Sequence, residues 1–448
     1  MGLNIHSAFL LNDNTVRTIG FNSYGQCGTG SITPSNQLTL YNILNLTNVK
    51  QISCGAVHTV FLLNDGTVKA VGDNRNGQCG TGNITSPQLT LYTIPGLSNV
   101  KQVICGYMHT VFLLNDGTVK TIGSNDNGQC GTGTKTTPQL TLYTIPSLTN
   151  IKQVACGNSH TVFLLNDGTV KAVGRNDYGQ CGTGNTTSPQ LTLYTIPGLS
   201  NVKQVICGDS HTVFLLNDGT VKTIGLNSSG QCGTGTITSS QLTLFTIPSL
   251  TNVKSIACGT NHSVFLLNDG TVRTVGNNGT GQCGTGSITP TNQLTLYVIP
   301  SLSNVKQITC GSGYTVFLLN DGTVKTVGDN SYGQCGNSVT VGGNQLTLFI
   351  IPSLSNVTSA WDILNNIIIK YLIYQYNNYY SIKSAYYSNN NYFPLTLSGG
   401  SLPNKADIEL YGFNSISDLI TSTTIGTETF KPIDKINNNF QIKMYKSK

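Results

Sequence analysis

The sequence predicts an all-β protein: a seven-bladed β-propeller of four-stranded antiparallel blades, followed by a small β-rich C-terminal appendage. Three observations predict it. A stretch typified by CGDSHTVFLLNDGTVKTIGLNSSGQCGTG, Cys207 to Gly235, is spelled seven times. The cysteine of its GQCG motif recurs at Cys27, Cys79, Cys130, Cys181, Cys232, Cys283 and Cys335, in steps of 52, 51, 51, 51, 51 and 52 residues. No part of a unit carries a helical period. Self-similarity at such a fixed period belongs to solenoids, propellers and arrays. Four short extended runs in about fifty residues is the arithmetic of a propeller blade.

Each element of a unit follows from its residues. In the fifth unit, NVKQVICG (Asn201 to Gly208) is a β-prone run ending at glycine, and HTVFLL (His211 to Leu216) is a second, apolar and β-branched. Asn217-Asp218-Gly219 joins it tightly to TVKTIG, because Asp-Gly between apolar runs is a strong hairpin signal. LNSSGQCGTGTITSS is a Gly/Ser/Asn loop. QLTLFTIP is a last strand closed by Pro248, which cannot donate to a ladder. The first unit has Asn14 where the others have the turn glycine. Asn is enriched among non-glycine residues at positive φ, so a positive φ is expected there.

A ring must close. The chain enters at GLNIHSAFLL without a preceding first strand. After the seventh unit, NVTSAWDILNNIIIKY (Asn356 to Tyr371) begins as that missing strand would and then diverges. It is expected to return beside the N-terminal strands and complete the first blade, removing two exposed edges. The expected domains are a propeller over 1–371 and a Tyr/Asn-rich appendage over 372–448. In the appendage, IYQYNNYYSI reads as a hairpin around Asn377-Asn378, and ADIELYGFNS (406–415) as a worn copy of the third strand and its loop. This segment would be a degenerate eighth unit, and its tyrosines a candidate contact surface.

Composition narrows the chemistry. Charged residues are 9% of the chain and the net charge of +6 looks thinly spread. One cation recurs per unit (Arg17, Lys69, Lys120, Lys171, Lys222, Arg273, Lys325), which reads as a solvated strand position. Of the thirteen cysteines, seven belong to GQCG and six (Cys54, Cys105, Cys156, Cys207, Cys258, Cys310) to the CG before the histidine. They read as reduced thiols packed in the blades. His6, His58, His109, His160, His211 and His262 recur with the period, and Tyr314 takes the seventh place. Residues related by rotation circle an axis, so a metal site is not expected. Asp65, Asp116 and Asp167 sit in turns, not across a cleft. GQCGTG lacks the Lys-Ser/Thr of a phosphate loop. No catalytic, cofactor-binding or metal-binding residue is therefore expected, and no cofactor.

No secretory signal or myristoylation motif is visible, and ILNNIIIKYLIYQY (363–376) is broken by Asn and Lys. An intracellular, cytoplasmic protein is expected. Residue usage, rich in Asn, Ile, Tyr and Lys with four Arg, suggests an AT-rich genome such as that of a protist, a bacterium or a large virus.

The spacing CG-x-x-HT-x-x-LL-x-DG-TV-x-x-x-G-x-N-x-x-GQ-x-G resembles the repeat of the regulator of chromosome condensation family. In the fourth copy it stands as Cys156, Gly157, His160, Thr161, Asp167, Gly168, Val170, Gly174, Asn176, Gly179, Gln180 and Gly182. The resemblance covers roughly residues 2–357 and implies a seven-bladed propeller. Two features depart from it: cysteine stands where GQ-x-G usually has leucine, and Val71 and Ile122 stand where an aromatic is common. The founding member exchanges guanine nucleotide on a small GTPase through an insertion in one blade, and meets chromatin through a basic tail. No unit here exceeds 52 residues and no basic tail is seen. The expected function is a non-enzymatic, monomeric scaffold with an unknown protein partner. No small-molecule substrate, direct nucleic-acid contact or membrane contact is expected. Exchange on a small GTPase and a structural role at a particle or cell surface are the alternatives.

Overall fold

A computed structural model describes residues 5–357, apart from 85–86, 137, 147, 301, 338–342, 353 and 355–356. Beyond these it describes nine short strands between Ser381 and Met444. Residues Met1–Ala360 form one compact unit and Trp361–Lys448 a second. The first unit is a seven-bladed β-propeller, and no helix occurs among the described residues.

Blade one contains β1 (His6–Leu10), β2 (Val16–Phe21) and β3 (Asn36–Asn42). Blade two contains β4 (Val49–Cys54), β5 (His58–Leu63), β6 (Val68–Gly72) and β7 (Gln88–Thr93), antiparallel and in sequence order. The five later blades repeat this order. First strands of successive blades pack against one another around the axis, so they are the inner strands and QLTLYT the outer. Apolar side chains interleave between blades. Val60, Leu62 and Val68 of blade two meet Val103, Phe112 and Ile122 of blade three. The phenylalanine of HTVFLL is fully buried in blades two to seven.

The turn at Asn14 has φ 62°, beside φ 85° at Gly66, as its chemistry predicted. Sequence reading missed a second left-handed position: the Asn preceding each inner strand, for example Asn150 at φ 59°.

The ring closes between blades seven and one. Phe9, Leu11 and Ile19 pack with Tyr314, Val316 and Leu318. Val357 forms an antiparallel bridge with Leu11. It occupies the register that Val305 holds against Leu319 in blade seven. The rest of the expected closing segment, 358–371, lies outside the described residues. So does the hairpin expected at Asn377-Asn378, with most of the Tyr-rich stretch. In the second unit Ala406–Leu410 is a strand, paired with Asn439–Met444, which also pairs with Asp434–Ile436.

The propeller has two unlike ends. Inner strands begin, and Asn-Asp-Gly hairpins turn, at one end. The Gly-x-x-His loops and the Asn-x-x-Gly-Gln loops lie at the other. Charge is sorted between them rather than thinly spread. The hairpin end carries six lysines at the second position of the inner strands and the seven cations of TVK/TVR, against seven turn aspartates. The loop end carries Arg75, Lys135 and Arg175 against Asp73, Asp126, Asp177, Asp209 and Asp329.

Candidate functional site

The recurring histidines are structural rungs. His58 Nε2 lies 3.0 Å from Thr110 Oγ1 of the next blade, and the same link runs from His6, His109, His160, His211 and His262. Each of those hydroxyls also donates to the carbonyl of the preceding blade's GQCG glutamine, as Thr110 does to Gln78 at 2.9 Å. A hydroxyl has one proton. With that proton spent on the carbonyl, Nε2 must be the donor and Nδ1 carries a lone pair. Nδ1 is buried without a hydrogen-bond partner in all six histidines. Burial lowers each imidazole to about 3. A Cβ on Gly208 would sit 2.1 Å from His211 Cε1, which is why CG precedes the histidine.

The other recurring groups are likewise accounted for. All thirteen cysteines are free thiols, and all are buried. Turn aspartates cap their own turns: Asp65 Oδ1 accepts from Thr67 N at 2.9 Å and Thr67 Oγ1 at 2.7 Å. Of the outer cations, Lys120 and Lys222 reach the Gly96 and Gly198 carbonyls at 3.4 Å, and Arg273 reaches that of Ser249 at 3.1 Å.

What differs from blade to blade lies at the loop end. The two residues between Gly and His (Tyr314 in blade seven) read Ala-Val, Tyr-Met, Asn-Ser, Asp-Ser, Thr-Asn and Ser-Gly in blades two to seven. Their backbones form a chain around the axis: Ala56 N donates to Tyr107 O, Tyr107 N to Asn158 O, Asn158 N to Asp209 O, and onward to Ser312. The outer loops are held from within by a buried asparagine. Asn74 Oδ1 accepts from Cys79 N at 3.0 Å, and its Nδ2 donates to Thr81 Oγ1 at 2.6 Å. This rigid frame presents whatever side chains flank it.

At the ring seam those side chains form one cluster over three blades. Tyr332 of blade seven meets Phe21 of blade one edge-to-face, centroids 5.0 Å apart. Phe21 meets Tyr24 at 6.1 Å. Arg75 of blade two stacks its guanidinium 4.8 Å from the Tyr24 ring centroid. Asp73, itself buried, fixes that guanidinium with two bonds, Nε to Oδ1 at 2.9 Å and Nη2 to Oδ2 at 3.1 Å. The Arg75 side chain remains 51% exposed. A second, smaller group pairs Arg175 with Asp177 and places its guanidinium 5.8 Å from the Tyr178 ring centroid. Sequence reading missed both. The signal was present as departures from the repeat at one loop, but Phe21 and Tyr332 are far apart in the chain.

An RCC1-like domain model matches residues 83–363, and regulator of chromosome condensation (RCC1) repeat models match 13–62 and 49–78. The chain is 30% identical over 347 residues to the ultraviolet-B receptor UVR8 of Arabidopsis thaliana, covering 76% of this chain and 78% of that one. It is 26% identical to an X-linked retinitis pigmentosa GTPase regulator homolog of Caenorhabditis elegans, covering 66% of this chain and 24% of the relative. It is 33% identical to a probable E3 ubiquitin-protein ligase, HERC4, of Homo sapiens, covering 59% and 31%. Among solved structures, Prp20p of Saccharomyces cerevisiae, described with its binding properties to Gsp1p and histones, superposes with a TM-score of 0.68 at 20% identity. That match covers 77% of this chain and 88% of Prp20p. Human WBSCR16 gives 0.68 at 21% identity, covering 76% and 96%. At such identities the two structures attest the fold.

Proposed function

The chain belongs to the regulator of chromosome condensation (RCC1) repeat family, and from that premise we propose that its propeller is a non-catalytic protein-interaction module that receives its partner on the loop end. The seam cluster of Tyr332, Phe21, Tyr24 and Arg75 carries this reading. Aromatic residues and arginine dominate binding hot spots, where rigid apolar area is presented with little entropy to lose. Here the aromatics brace one another, and Asp73 holds Arg75 in place before any partner arrives. The hairpin end repeats nearly the same residues in every blade, so it offers little to distinguish one protein partner from another.

Two relatives suggest other activities. The ligase relative is matched over 31% of its length, so its named activity belongs to a much longer chain. Nucleotide exchange on a small GTPase is supported by family likeness, and the even 51- or 52-residue spacing leaves no inserted element to perform it.

The test is affinity purification with quantitative mass spectrometry, comparing the native chain with Tyr24→Ser/Arg75→Glu and with the hairpin-end control Lys171→Glu. Partners lost with the first variant alone support the reading. Partners retained by that variant sink it. A nucleotide-release assay on captured small GTPases runs beside it, and clear acceleration would replace the scaffold reading with exchange.

A further inference from the structure

The hairpin end holds a feature that the loop-end function does not use. The second residue of every described inner strand is lysine: Lys50, Lys101, Lys152, Lys203, Lys254 and Lys306. By sequence the seventh place is Thr358, outside the described residues. Each lysine sits in a β-bulge. Val49 pairs with Leu63 and Gln51 with Leu62, so Lys50 is the extra residue, and the same register step recurs in the other five blades. A bulge bends its strand and re-aims a side chain.

The inner strands set where these side chains go. Gln51 spans to the next inner strand, its Nε2 donating to Val103 O and its Oε1 accepting from Val103 N, both at 3.0 Å. Lys203 reaches the same way, its Nζ 3.5 Å from the Lys254 carbonyl. The lysines therefore follow one another around the axis near its hairpin-end mouth. Burial holds Lys101, Lys152 and Lys203 below the usual lysine range, and the next lysine's charge lowers the last two further. No carboxylate lies on the six inner strands, which read VKQISC, VKQVIC, IKQVAC, VKQVIC, VKSIAC and VKQITC. The nearby turn aspartates accept from their own threonines and interact with the outer cation of their own blade, as Asp65 does with Thr67 and Lys69.

We propose that the hairpin-end mouth of the axis is a binding site for a compact, multiply phosphorylated anion, held by the six inner lysines. Neighbouring lysines of this ring repel one another, Lys152 with Lys203 and Lys203 with Lys254, and a compact anion on the axis would offer several of them one shared counter-charge. Lysine is a point charge on a flexible stem and can crowd around several phosphates without fixed geometry. At this end arginine appears only in the outer ring, at Arg17 and Arg273. A duplex nucleic acid fits less well, because a tight ring around an axis touches few phosphates of a long rod.

The probe is sodium tripolyphosphate, titrated calorimetrically into the native chain, Lys152→Met/Lys203→Met and the outer-ring control Lys120→Met/Lys222→Met. One tripolyphosphate per chain is expected, weakened about tenfold or more in the inner variant and little changed in the outer. Equal loss in both variants would mean a diffuse surface field and overturns the site, as does no binding to the native chain. So does a short DNA duplex that binds as tightly and is not displaced by tripolyphosphate. If the inner variant does not fold, the native chain decides by thermal melting. A rise in Tm that saturates with tripolyphosphate supports the site, and no rise beyond that in sodium chloride of equal ionic strength overturns it. Neither result depends on whether the loop end binds a protein.

Discussion

The hydroxyl of Tyr314 lies 2.9 Å from Ser7 Oγ, joining the last blade to the first. Ser7 stands where the other blades carry Thr or Ser, and Tyr314 stands where they carry histidine, so this contact is the seventh rung of the ring. It is wired differently from the other six. Tyr314 Oη donates to the His6 carbonyl at 2.8 Å, and Ser7 Oγ donates to the Gln334 carbonyl at 2.9 Å. Two protons serve three contacts. The phenol reaches a backbone group of the first blade that no histidine rung reaches.

Tyr314→Phe removes that hydroxyl and leaves the buried His6 carbonyl without its donor. A stability loss of about 1–3 kcal/mol is expected from a buried group left unsatisfied. The loss should be local before it is global. Hydrogen exchange should rise first in the strands on either side of the seam, His6–Leu10 and Tyr314–Leu319. Uniform exchange across all seven blades would contradict a seam-specific role.

The six histidine rungs make the propeller acid-labile. Their folded values, about 3, lie below the ordinary value of 6.5, so between the two the unfolded chain binds more protons than the folded one. Stability is then complete above about pH 6.5 and falls as pH drops toward 3. Each imidazole contributes a slope of roughly 1 kcal/mol per pH unit, and six acting together exhaust a typical domain's stability within about two units. Acid unfolding followed by circular dichroism should be steep, with a midpoint near pH 5. A chain still folded at pH 4 would contradict it. Nitrogen NMR shifts should also show Nε2 protonated and Nδ1 bare in the folded state.

The strands and the turn at Asn14 were legible because each rests on neighbours within one repeat; the histidine rung joins successive repeats, and its recurrence at one fixed position was what the sequence made legible. The inner lysines were visible as the K of NVKQ, yet sequence reading weighed only the outer cations of TVK, as a solvated strand position, and took the net charge as thinly spread. Period tells which residues are equivalent, and it says nothing about their distance from the axis. Lys69 and Lys50 recur alike, but the inner strands alone bring their lysines together. The Phe21–Tyr332 contact was hidden for a related reason, since ring closure makes neighbours of the two ends of the repeat.

All thirteen cysteines should be silent to thiol reagents in the native state. Burial pushes the thiols up, Cys54 and Cys105 to about 12, so little thiolate exists at neutral pH and none of it is accessible. Ellman's reagent at pH 8 should find almost no reactive thiol in the folded chain and thirteen after guanidinium denaturation. A denatured count well below thirteen would mean that disulfides form in the isolated protein, against the packing described for the blades.

Blade six supplies a natural variant of the inner-strand bridge. The glutamine amide pairs with backbone of the next inner strand at Gln51–Val103, Gln153–Val205 and Gln204–Ile256. Ser255 stands at that place in blade six, and among the described residues no hydrogen bond joins its side chain to the equivalent Ile308. The Ile308 amide should therefore exchange faster than those of Val103 and Val205. Gln153→Ala should bring Val205 to the same rate, a change of about fivefold for the loss of one net hydrogen bond of about 1 kcal/mol. If Ile308 exchanges as slowly as Val205 in the native chain, the glutamine bridge does not protect the inner edge, and packing between blades alone must do so.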